Sequence, residues 1–137
     1  MTRENREAHV TAELQRGRAS LRAAIELQRL GLHHDAVSRA YYAALHFALA
    51  VLLTEGVEPK SHAGVSGMLG LHFVRTGRLP PQRAKELSRL EQFRSEADYN
   101  RFFVFDEASA QEEVEVAQSF CAEIESWLSM GGWTSGT

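Results

Sequence analysis

The sequence predicts an all-α protein, an up-and-down helical bundle of four to five helices in a single domain. Three observations carry that expectation. The stretch Ala36–Thr54 (AVSRAYYAALHFALAVLLT) runs 19 residues with Arg39 as its one charged side chain and with neither Gly nor Pro. Its Ala and Leu residues make helix the cheap backbone state, and a helix apolar on nearly every side needs other elements around it. Two further segments carry apolar stripes that step by three and four, Val10-Leu14-Gly17-Leu21-Ala24 and Val114-Ala117-Cys121-Ile124-Leu128, the periodicity of one buried helix face. The aromatic run Tyr99–Phe105 (YNRFFVF) reads as a loop or a partly extended piece, too short to support a sheet.

In order, the first helix spans about Arg3 to Leu30, with Ala23, Leu27 and Leu30 widening its stripe and Gly31 as its C-terminal cap. Gly17 costs helix stability, which a close approach by a neighbouring helix would explain. His33, His34 and Asp35 form a connector, with Asp35 as N-cap of the central helix. Gly56 ends that helix, and Ser61 caps a third running to about Thr76. This third helix carries Gly64, Gly67 and Gly70, so it is either the weakest in the chain or very closely packed. Pro81 opens a fourth helix to Asp98, with Leu87, Leu90 and Phe93 inward. Asp106 begins the last, whose acidic first turn complements the helix dipole. Residues 1–130 form the domain, and 131–137 read as a disordered tail.

Composition narrows the function classes. A net charge of −3 gives no general electrostatic case for a polyanion partner. The charge is uneven, however: residues 75–101 hold seven bases against four acids, and residues 106–125 hold seven acids and no base. Thirteen of the fifteen bases are Arg, which suits bidentate contacts to carboxylate or phosphate and equally fits a GC-rich genome. The single Cys121 excludes an internal disulfide and a Cys-based zinc site, and no motif identifies a cofactor or a metal. Arg39, His46 and the paired tyrosines argue against a membrane role for the central stretch. The charged N-terminus lacks an apolar leader, so a cytoplasmic location is expected.

The chemistry-bearing residues fall in three places. Arg39, Tyr42, His46, Leu49 and Leu53 share one face of the central helix, with Arg39 and His46 about 10 Å apart along the axis. An Arg holding phosphate and a His moving a proton could address one ligand lying along that face. Equally, Arg39 could pair with an acid such as Asp98 while His46 is bonded inside the bundle. Arg94 and Asp98 are four apart on the fourth helix with Tyr99 following, either a brace or half of an anion site. His62 follows Ser61 at a helix start, where backbone amides attract anions.

The segments SRAYYAALHFA from Ser38, SHAGV from Ser61, FVRTG from Phe73 and RSEADY from Arg94 resemble, in order and spacing, the HEPN-domain proteins, over roughly residues 8–128. The resemblance implies a compact helical bundle, commonly a homodimer. It also implies binding of nucleotide or RNA, metal-independent endoribonuclease activity in many members, and pairing of such toxins with a minimal nucleotidyltransferase antitoxin. In some members the partner attaches AMP to a tyrosine near the catalytic motif, for which Tyr99 is the candidate here. The family signature is an Arg followed, after four to six residues, by a His on a late helix. Arg94 matches the Arg, but Tyr99, Asn100 and Arg101 stand where His is expected. Arg39 and His46 satisfy the same count on the central helix. If the two clusters converge, His46 would serve beside Arg94 with Arg39 on the phosphate. A non-catalytic dimerisation or docking module is the competing expectation.

Overall fold

The structure, a computed structural model, describes residues 2–134. Among these residues there are five α-helices and no strand: α1 (Arg3–Arg29), α2 (His33–Leu53), α3 (Val65–Leu69), α4 (Pro81–Tyr99) and α5 (Glu107–Met130). The all-α bundle expected from the periodicity is therefore what forms. The central stretch is α2, packed by α1, α3, α4 and α5, with Ala36, Ala40, Ala43, Ala44, Leu45, Ala48 and Val51 sealed from solvent. Its length and apolarity would let it cross a membrane, but 72% of its apolar window is buried by protein.

Helix α1 lies antiparallel to α2, as its cross-contacts show. Arg6 donates to the Thr54 carbonyl at 2.8 Å, Glu13 meets His46 at 2.7 Å, and Gln28 meets His33 at 3.0 Å. The reversal is made by Gly31 at φ +79°, with the Leu32 amide donating back to the Leu27 carbonyl at 2.9 Å. Gly17 sits where the two helices touch: a Cβ there would lie 2.6 Å from Phe47 Cδ2 and 3.3 Å from His46 Cβ. The helix cost of that glycine is thus offset by close approach, as expected.

Helix α4 is tied to α5 by charges. Arg89 bonds Glu113 and Glu112, and Arg83 reaches Glu123 and Glu86. The Glu113 carboxylate is almost fully buried, and the bonds that Arg89 donates to Glu113 and Glu112 push its guanidinium further up. Burial raises Glu86 even against the neighbouring Arg83. The α5 stripe is buried as the spacing predicts, and burial pushes the Cys121 thiol well above its ordinary value. Asp106 caps α5 by accepting from the Ser109 amide at 2.7 Å.

Four local expectations are corrected. Helix α2 begins at His33 with Leu32 as an N-cap that makes no side-chain bond, so Asp35 lies in the first turn instead. The Gly31 turn returns the chain straight into helix and leaves no connector. His33 and His34 are accordingly helical, and the Phe105 amide donates to His34 Nε2 at 3.4 Å. The third helix is broken into a 3-10 turn at His62–Gly64, α3, and a π turn at Gly70–Val74. Gly67 and Gly70 have open space beside them, so weak propensity rather than close packing explains these glycines. Leu30 is 61% exposed because it has become the C-cap of α1. Residues 131–134 form a turn: the Trp133 amide donates to the Leu128 carbonyl at 2.9 Å, and the Arg3 guanidinium stacks 3.6 Å from the Trp133 ring. Residues 135–137 lie outside the described residues.

Candidate functional site

The one strip of α2 left partly open carries Arg39, Tyr42, His46 and Leu49. These positions repeat at three, four and three, so they share one face of the helix, while α1, α3, α4 and α5 pack around its other sides. The strip has a cationic end, a histidine–carboxylate pair in the middle, and an apolar end.

At the cationic end α2 supplies two tyrosines in sequence, whose rings meet at 5.1 Å and 62°. Helix α4 lays Arg94 across both, its guanidinium carbon 5.0 Å from the Tyr41 ring and 5.7 Å from the Tyr42 ring. Arg94 Nη1 donates to Asp98 Oδ2 at 3.0 Å, the helical i,i+4 pair expected from spacing. Its Nε is buried and has no hydrogen-bond partner among the described residues. Arg39 lies over the same Tyr42 ring at 5.0 Å and makes no ion pair among the described residues. Asp98 therefore pairs with Arg94 and not with Arg39. Two guanidiniums converge on one phenol with a single carboxylate bonded to them.

Electrostatics at this end follow from burial. Tyr41 is 1% exposed, and burial, with Glu91 adding to it and Arg94 opposing it, pushes its phenol up to about 12. Tyr41 is thus a neutral shelf for the Arg94 side chain. Burial works against the Arg94 charge, but Tyr42 and Asp98 outweigh it and the guanidinium ends above its ordinary value.

In the middle, His46 Nδ1 lies 2.7 Å from Glu13 Oε2, with 18% and 27% of the two side chains exposed. A carboxylate can only accept, so Nδ1 is the donor in this bond. His46 therefore answers to α1 rather than to Arg94, and shares with Arg94 only the α2 strip. His62 is exposed at the start of the 3-10 turn, where Ser61 takes the capping role by accepting from the Gly64 amide at 3.3 Å. Tyr99, at the end of α4, is 81% exposed. Neither His62 nor Tyr99 makes a side-chain bond to the Arg94 cluster. Among the described residues, no three His, Cys, Asp or Glu side chains are grouped as metal ligands would be.

Sequence reasoning missed one member of this arrangement, Glu13. Glu13 lies between Val10 and Gly17 on the buried face of α1, and a carboxylate on such a face signals a polar partner on the opposing helix.

The profile of the HEPN domain family matches residues 10–127. The chain belongs to the HEPN family. Among HEPN relatives, it is 46% identical over 68 residues to a putative toxin of Methanocaldococcus jannaschii, covering 50% of this chain and 51% of that protein. It is 44% identical over 68 residues to a UPF0332 protein of Pyrococcus horikoshii, covering 50% of this chain and 48% of that one. A UPF0332 protein of Thermotoga maritima is 32% identical over 92 residues, covering 67% of this chain and 70% of its own length. The match thus spans about half the length of the first two relatives.

Proposed function

We propose that this chain is the HEPN component of a toxin–antitoxin or defence pair. Its anion site, Arg39 and Arg94 on Tyr42, binds the phosphate of a nucleotide or RNA. The observation that carries the reading is the convergence of those two guanidiniums on one ring with Asp98 as the one bonded acid. Guanidiniums seated on aromatic faces present their N–H edges outward, the geometry that suits phosphate oxygens. Two relatives that carry the name putative toxin agree with this assignment.

In this reading any endoribonuclease step relies on His46. Its Nε2 would take the proton of a ribose 2′-hydroxyl as the oxygen attacks the adjacent phosphorus, while Arg39 and Arg94 hold the phosphate oxygens. The P–O5′ bond breaks and the departing oxygen takes a proton from water. The Arg94 helix carries no histidine at the expected place, so α2 must supply the imidazole.

A second reading has its own support. Phe102 and Val104 are 88% and 75% exposed on the loop after α4, beside the exposed Tyr99. Such a patch suits a protein contact, either with a second copy or with a nucleotidyltransferase partner that would modify Tyr99. A cytoplasmic location goes with either reading.

The test is expression of the chain alone and with a neighbouring nucleotidyltransferase. Growth arrest that is relieved by the partner and lost in both Arg94→Ala and His46→Ala is expected for the catalytic reading. Co-purification without any growth effect would replace it with the docking module.

A further inference from the structure

The apolar end of the α2 strip is a cavity of about 310 Å³, lined by Glu13, Leu49, Leu53, Val57, Glu58 and Pro59. Four of these six side chains are aliphatic and the other two are carboxylates. Glu13 commits Oε2 to His46, while Oε1 makes no hydrogen bond among the described residues. Glu58 is exposed and likewise has no bonded partner there. The nearby Arg6 is turned to the Thr54 carbonyl at 2.8 Å and does not line the cavity.

We propose that this cavity is a base-recognition subsite, taking an amino-bearing nucleobase of the ligand whose phosphate sits at Arg39 and Arg94. The proposal deepens the nucleotide-binding reading and rests on it. Three features of the strip support this occupant. First, the lining side chains differ along the strip, with Arg39 and Arg94 at one end and Glu13 and Glu58 in the cavity at the other, matching a ligand with an anionic phosphate and a hydrogen-bond-donating ring. Second, Tyr42 and Leu49 are seven residues apart, about 10 Å along the helix, the length scale from the phosphorus of a nucleoside monophosphate to the far edge of its base. Third, the aliphatic walls suit the faces of a flat ring, while acceptor-only carboxylates at its rim require N–H donors. An oxo group at the same ring position would face a carboxylate with no proton between them.

The test is calorimetric titration of the full chain with AMP and with IMP, which differ in carrying an amino or an oxo group at ring position 6. AMP is expected to bind about tenfold tighter or better, the range for a lost charge-assisted hydrogen bond. Glu58→Gln, whose amide can donate to an oxo group, should narrow the gap, and Val57→Trp, which fills the cavity, should bring AMP down to the IMP level. Equal affinities for AMP and IMP, both lost in Arg94→Ala, would overturn the base subsite and leave the phosphate site standing. An AMP preference indifferent to Glu58→Gln and Val57→Trp would place the base elsewhere and also overturn it. Binding of neither nucleotide would overturn both readings together.

Discussion

Replacing Gly17 by Ala tests whether α1 and α2 are held at the distance that lets Glu13 reach His46. In an exposed helix interior the change would stabilise by up to about 1 kcal/mol through helix propensity. At Gly17 the new Cβ would fall 2.6 Å and 2.8 Å from two Phe47 ring atoms and 3.3 Å from His46 Cβ. Phe47 is 1% exposed, so its ring cannot swing into solvent. Overpacking of this kind costs about 1–3 kcal/mol. The balance is a net loss of roughly 0–2 kcal/mol, or several degrees in Tm. Gly67→Ala supplies the internal control, since it adds a Cβ into open space in α3 and should stabilise by about 0.5–1 kcal/mol. Urea denaturation of both variants reads the difference directly. If Gly17→Ala stabilises as much as Gly67→Ala, the helices do not touch at this level and the geometry of the His46–Glu13 pair loses its foundation.

Other outcomes follow from the charge network and the caps. Arg89→Ala leaves the Glu113 carboxylate, 3% exposed in its side chain, buried without its partner, and should cost about 3 kcal/mol or more in urea denaturation. Removal of the 63%-exposed Glu112 should cost under about 1 kcal/mol. Tyr41, with its phenol pushed up to about 12, should escape ultraviolet titration near the ordinary phenol value. Because the folded state holds that proton more tightly, the associated stability is complete below the unfolded phenol value near ~10 and is lost as pH rises from there through about 12. Tyr41→Phe should flatten this alkaline limb of the stability curve. For Asp106 the sign reverses. The Ser109 amide and hydroxyl hold its carboxyl below the ordinary value, so its stabilisation is present above about pH 4 and is lost as pH falls through the folded value. Hydrogen exchange in the first turn of α5 should speed up over that acid range in the wild type and lose this dependence in Asp106→Asn.

The fold was legible wherever one helix face decides the packing. The stripes of α1 and α5 and the nearly all-apolar α2 left no other way to bury those side chains, and Gly17 announced a close crossing before any contact was known. What local pattern could not supply was the partner of each polar group. Arg39 and Asp98 looked like a pair by charge, but α4 already places Asp98 one turn from Arg94, and Arg39 settles on its own Tyr42 instead. His46 was readable as a site residue, whereas Glu13 became visible only once α1 and α2 were laid antiparallel. The break at Gly70 and the Trp133 turn depend respectively on weak propensity and on Arg3, the far end of the chain, and neither leaves a periodic trace.

The central claim, a phosphate site made by Arg39 and Arg94 on Tyr42, is tested most directly by salt dependence. Affinity for a single-stranded oligoribonucleotide should be measured across salt concentrations for the wild type, Arg94→Ala, Arg39→Ala and the exposed Arg16→Ala, each confirmed as folded by its melting transition. Each phosphate contact to a single strand contributes about 0.7 to the slope of log affinity against log salt. The account predicts that Arg94→Ala and Arg39→Ala each make the slope shallower by about that amount, with Arg16→Ala unchanged. Identical slopes and affinities in all four proteins would contradict it.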